Sequence, residues 1–119
     1  MSSTVLVVED DAIFRSLVVE AISLRGVDVI DCASADDALP LLEGSSPIAL
    51  VVTDICMPGN MDGLELAQLI WSRWPGLPVI VTSGDRSMPE GGLPSHAMFL
   101  RKPWTLEVLQ QAVRTNLPA

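Results

Sequence analysis

Short apolar runs of four to six residues, rich in Val and Ile, alternate along this chain with longer segments of helical period. A strand buried on both faces reads as a continuous apolar run, and parallel neighbours must be joined by a crossover of a dozen or more residues, usually a helix. The alternation therefore predicts βα units around a parallel sheet. Strands are expected near residues 4–8, 27–32, 48–53, 77–82 and 97–100.

The intervening segments carry their own punctuation. A helix after Asp11 places Phe14, Leu17, Val18, Ala21 and Ile22 on one inward face and ends at Gly26, which can adopt the left-handed cap. Ser34 followed by Asp37 reads as a capping pair for a second helix, and Pro40 within it predicts a bend. A third helix runs from about Gly63 through Leu64, Leu66, Ala67, Leu69, Ile70 and Trp74 until Pro75-Gly76 stops it, with Trp71 and Trp74 packed on it. The last follows Thr105 as N-cap, with Leu106, Leu109, Val113 and Leu117 along its inward stripe. Between Asp85 and Pro94, the residues Pro89, Gly91, Gly92 and Pro94 fall where a fourth crossover helix belongs, so that helix is expected to be short or missing.

Length and charge narrow the function classes. A chain of 119 residues with 49% hydrophobic content suits one domain with a real core and leaves no room for a second. Its longest apolar run falls well short of the roughly 18 residues of a membrane span, and no charged n-region precedes the first strand. A soluble, cytoplasmic protein is expected. A formal charge of -8, with the few Lys and Arg dispersed, argues against direct nucleic-acid binding. Cys32 and Cys56 fit neither a zinc pattern nor a disulfide framework, so both are read as free thiols lining the core.

Chemistry-bearing residues gather at the carboxyl ends of the apolar runs: Glu9-Asp10 after the first, Asp54 after the third, Ser83-Gly84 after the fourth and Lys102-Pro103 after the fifth. Ligands of open parallel sheets bind beyond those ends, where strand order reverses. For a five-stranded βα protein of order 2-1-3-4-5, an order that the residues themselves do not establish, that point lies between strands one and three. Neighbouring strands are about 4.8 Å apart, so Glu9, Asp10 and Asp54 would converge. Three packed carboxylates repel one another unless a cation offsets them, and an all-oxygen set suits Mg²⁺. Glu9 and Asp10 would also serve a helix N-terminus, but nothing at a strand end between Thr53 and Ile55 calls for an acid. Lys102 adds a positive point charge able to pair with Asp54 or with a phosphoryl oxygen on it. Thr82 and Ser83 both offer a hydroxyl, and side-chain alternation lets only one face the pocket in a regular strand.

In this order and spacing, the chain resembles the receiver domains of bacterial two-component response regulators, from about Val5 to Leu117. The pieces that carry the likeness are Val5-Leu6-Val7-Val8-Glu9-Asp10-Asp11, Asp54-Ile55-Cys56-Met57-Pro58-Gly59, Met61-Asp62-Gly63-Leu64-Glu65-Leu66, Pro78-Val79-Ile80-Val81-Thr82-Ser83-Gly84 and Phe99-Leu100-Arg101-Lys102-Pro103. The resemblance implies a flavodoxin-like, doubly wound α/β fold with a five-stranded parallel sheet of order 2-1-3-4-5. It implies that Asp54 accepts a phosphoryl group from a histidine kinase or histidine phosphotransferase. Glu9, Asp10, Asp54 and the backbone carbonyl of Cys56 would hold Mg²⁺. Ser83, five residues after Pro78, would be the switch hydroxyl, Phe99 the switch aromatic, and Lys102 the phosphate-binding lysine before a cis proline. Asp11 falls outside the metal set and is left as a helix cap.

Three features depart from the family pattern. Asn60 is a one-residue insertion in the loop after Asp54, Glu9 replaces the more usual aspartate with a longer arm suited to contact through water, and the fourth helix is reduced. Because the chain ends at Ala119, the resemblance predicts a stand-alone receiver whose output is a downstream protein partner, with room for homodimerisation and no membrane contact. A receiver piece of a larger regulator or hybrid kinase would keep the same site chemistry. An aspartyl-phosphate phosphatase would want an acid two residues after its nucleophile, where this chain has Cys56. A degenerate receiver, acting as a phosphorylation-independent binding module, would not need all of Asp10, Asp54 and Lys102. Neither a P-loop nor a glycine fingerprint follows strand one, which disfavours nucleotide binding.

Overall fold

The computed structural model describes residues 4–23, 26–44, 48–54, 63–83, 98–101 and 105–116. Five strands, β1 (Thr4–Val8), β2 (Asp28–Cys32), β3 (Leu50–Asp54), β4 (Val79–Ser83) and β5 (Met98–Arg101), form one parallel sheet in the order β2-β1-β3-β4-β5. Among the described residues four helices accompany them: α1 (Ala12–Ser23), α2 (Ala35–Glu43), α3 (Gly63–Arg73) and α4 (Leu106–Asn116). The segment expected to lack a full crossover helix, Asp85 to Pro94, lies outside the described residues.

The strand order sends the chain from β1 to β2 in one direction and from β2 over to β3 in the other. Right-handed crossovers then put α1 on one face and α2 and α3 on the other, the face changing where the direction reverses, and α4 packs beside α1. On one face Val5, Val7, Leu50, Val52 and Ile80 meet Val18, Ala21 and Ile22 of α1 and Leu109, Ala112 and Val113 of α4. On the other, Leu6, Val8, Val51, Val79 and Val81 meet Ala35, Ala38 and Leu42 of α2 and Leu66, Ala67 and Ile70 of α3, with Trp71 and Trp74 packed at its margin. Each fully buried Leu or Ile contributes about 1.5–3 kcal/mol relative to an exposed one, so the continuous apolar character of the strands is what two covered faces demand.

Local signals fix the helix ends. Asp11 caps α1, its Oδ1 accepting from the N–H groups of Ile13 and Phe14 at 3.0 Å each. Gly26 follows α1 at φ +76°, a conformation that costs a residue without Cβ nothing. Ser34 caps α2 by accepting from the Asp37 N–H at 3.1 Å, and the helix continues through Pro40 to Glu43. Thr105 caps α4, its hydroxyl accepting from the Val108 N–H at 3.1 Å. The Gln110 side chain of α4 donates to the Ala21 carbonyl in the last turn of α1 at 2.9 Å, tying the two helices together.

One expected core residue is placed otherwise. Leu17 is 51% exposed and lies beside Ile13, 77% exposed, on the outer flank of α1. The helix meets the sheet and α4 through Val18, Ala21 and Ile22, with Phe14 half-buried. Among the described residues, no helix is long and apolar enough to cross a membrane.

Candidate functional site

Val8 and Thr53 are register partners in the β1–β3 ladder, so the next residues, Glu9 and Asp54, end the two central strands side by side. Glu9, Asp10 and Asp54 come together there, each offering a carboxylate oxygen, and the three atoms lie within 4.8 Å of one another. Glu9 is 4% exposed and Asp54 8% exposed, whereas Asp10 is open to solvent. Placing charged carboxylates in a nearly closed position is costly unless they are offset. The cluster's open side, at Asp10, gives a cation its approach.

The Glu9 residue is held at three points. Its N–H donates to the Cys32 carbonyl at 3.1 Å, extending the β1–β2 ladder by one bond. Its carboxylate Oε2 accepts from the Asp11 N–H at 3.2 Å. Its carbonyl accepts from Arg15 Nη1 at 2.8 Å, and the Nε of the same guanidinium donates to Asp31 Oδ2 on β2 at 3.0 Å. The acid that caps α1 is thus Asp11, while Glu9 meets the helix start through a single main-chain donor.

On the opposite side of Asp54 stands β4, with Thr82 as its register partner. Paired residues of parallel strands share a face, and Thr82 is 3% exposed. Ser83 is one step further along β4 and pairs in register with Arg101 of β5; Phe99 pairs with Val81. The side chains of Ser83 and Phe99, together with Cys56, Lys102 and Pro103, lie outside the described residues.

Cys32 is half-buried at the edge of the second core layer, as a core-lining thiol should be. Burial pushes its pKa up from 9.0 to about 11, a backbone hydrogen bond from Ser34 opposing this only in part. A thiol held protonated in this way is expected to react slowly as a nucleophile.

Sequence reasoning does not single out Arg15, because an arginine on a helix ordinarily reads as solvated. The available signal is its sign: a cation at the end of the first turn of α1 opposes the helix dipole.

The donor set fits a hard divalent ion. All three groups are carboxylate oxygens, two are nearly closed to water, and no thiol or imidazole competes among them.

Comparison with known proteins places this architecture in a class. Residues 5–114 match the response regulator receiver domain family, and the chain belongs to that family. It is 36% identical over 117 residues to response regulator protein FleR of Pseudomonas aeruginosa, covering 95% of this chain and 24% of FleR. A response regulator receiver protein from Pseudomonas putida has a crystal structure that superposes with a TM-score of 0.85 at 31% identity, over 97% of this chain and 98% of that one. The corresponding protein from Sinorhizobium medicae gives 0.88 at 28% identity, over 96% and 93%. The chain spans about a quarter to a half of the length of the curated relatives it matches. Receiver domains are signalling domains of two-component systems and interact in general with histidine kinases or phosphotransferases.

Proposed function

We propose that Asp54 is the phosphoacceptor and that its modification, supported by Mg²⁺, switches a protein-binding surface. The observation that carries this reading is the convergence of Glu9, Asp10 and Asp54 within 4.8 Å at the strand-order reversal of a receiver-family chain. Glu9, Asp10, Asp54 and the Cys56 backbone carbonyl would hold the ion. When bound, Mg²⁺ supplies positive charge against the phosphoryl oxygens.

An Asp54 carboxylate oxygen attacks the phosphorus of a phosphohistidine on a histidine kinase or histidine phosphotransferase. The P–O bond forms as the P–N bond breaks; the imidazole nitrogen keeps the electron pair, and the product is an acyl phosphate. Asp54 is already positioned by its strand, so the protein's contribution is orientation and charge neutralisation rather than proton transfer. Lys102 pairs with a phosphoryl oxygen, Ser83 donates its hydroxyl to another, and Phe99 follows inward, changing the surface offered to a downstream protein. This makes the chain a stoichiometric acceptor and not a turnover enzyme, since Cys56 stands where a phosphatase of this chemistry needs an acid.

Acetyl phosphate with Mg²⁺ is expected to add one phosphoryl group, read by intact mass, and Asp54→Asn to abolish the addition. Undiminished labelling of Asp54→Asn overturns the assignment. A wild-type chain that takes no label from acetyl phosphate or from any phosphohistidine donor is a phosphorylation-independent binding module instead.

A further inference from the structure

Arg15 meets the acid cluster at the Glu9 carbonyl, and its contacts are not those of a solvated side chain. Its guanidinium is a planar fork, and two of its nitrogens are engaged in different directions: Nη1 on the Glu9 carbonyl at 2.8 Å and Nε on Asp31 Oδ2 at 3.0 Å. The side chain is only 23% exposed. The Glu9 carbonyl belongs to the peptide joining Glu9 to Asp10, so the bond fixes the plane between two of the three clustered acids. Asp31 lies on β2, whose partner in register is Val7 of β1. Arg15 therefore braces the Glu9–Asp10 peptide from α1 on one side and β2 on the other.

We propose that Arg15 is a positioning residue for the carboxylate cluster: by gripping the Glu9 carbonyl and the Asp31 carboxylate together, it holds Glu9 and Asp10 in the orientation that converges on Asp54. This rests on the reading of the cluster as a Mg²⁺ site. Two effects of removing Arg15 have opposite signs, which makes the inference decidable. As a nearby positive charge, Arg15 repels a bound cation, so its loss by Coulomb's law alone tightens Mg²⁺ binding. As a brace, its loss lets the peptide rotate and weakens binding, and supports of this kind typically contribute 10- to 100-fold to metal affinity.

The test measures Mg²⁺ dissociation constants by isothermal titration calorimetry for the wild-type chain, Arg15→Met, Arg15→Lys, Asp31→Asn and the Arg15→Met/Asp31→Asn double variant, with circular dichroism and Tm recorded for each. Arg15→Met is expected to weaken binding roughly tenfold or more with its secondary structure intact. Arg15→Lys, a point donor that reaches one partner but not both, is expected to fall between. Asp31→Asn, at a half-exposed position, keeps the fold and is expected to weaken binding a few-fold. In the double variant the Asp31 effect should vanish, because both act through one guanidinium. Binding that is unchanged or tighter in Arg15→Met overturns the brace. If that variant fails to fold, equal affinity of Asp31→Asn and wild type overturns it. A wild-type chain that binds no Mg²⁺ removes the cluster reading and the brace with it, while wild-type binding with indifferent variants removes the brace alone.

Discussion

Asp54 stands directly across the β3–β4 ladder from Thr82, and the two are 8% and 3% exposed. The hydroxyl in register with the proposed phosphoacceptor is thus the threonine, while the spacing from Pro78 favours Ser83 as the switch. Both residues keep a hydroxyl near the strand end, and the two roles are separable. Ser83→Ala is expected to accept the phosphoryl group and lose most of the tryptophan fluorescence change that follows. Thr82→Val is expected to retain that change. The reverse outcome transfers the switch to Thr82.

If the crowded Glu9, Asp10 and Asp54 hold Mg²⁺ as proposed, stability is expected to depend on the ion. An ion that binds only the folded chain at about 100 times its Kd adds about 2.7 kcal/mol, a Tm rise on the order of 10 °C for a domain of this size. Asp10→Ala should remove the rise. Asp54→Asn should raise the Mg²⁺-free stability by about 1 kcal/mol by relieving like-charge repulsion, and the Tm with it. Scanning calorimetry across a Mg²⁺ series checks both; a metal-independent Tm in the wild-type chain contradicts the first, and an unchanged or lower Mg²⁺-free Tm in Asp54→Asn contradicts the second.

Cys32 has a folded-state pKa raised to about 11 from 9.0, chiefly by burial. The folded chain therefore holds the thiol proton more tightly than the unfolded one. The associated stability is fully present below about pH 9 and is lost as pH rises through 11. At neutral pH its thiolate population is about a hundredfold below that of an unperturbed thiol. In a Cys56→Ser background, alkylation of Cys32 should be correspondingly slow and should accelerate sharply in denaturant. Fast alkylation of the native chain would contradict the burial argument.

Much of the fold is legible because its signals are local or periodic. Gly26, Ser34, Asp11 and Thr105 mark helix ends through one residue's own chemistry, and all four act where their side chains or conformations require. Strand bounds agree to within a residue or two because a run such as Leu50-Val51-Val52 is apolar on both faces. Leu17 misleads because it lies at helical spacing from Ala21. With about 100° between successive residues, Phe14, Val18, Ala21 and Ile22 centre the inward stripe and Leu17 falls on its flank beside Ile13. The convergence of Glu9, Asp10 and Asp54 follows from strand ends plus strand order, and the order comes from family likeness. Arg15 is legible only as a cation set against the helix dipole, since its contact at the cluster is to a carbonyl, and every residue has one.

On the two central strands the apolar layers stop at Val8 and Val52, and the acids Glu9 and Asp54 follow within two residues. Replacing an acid by its amide leaves the hydrophobic interior as it was. A lineage carrying this architecture can therefore abandon its reactive groups and still inherit an intact scaffold, so ancestry and reactivity come apart at the ends of two strands.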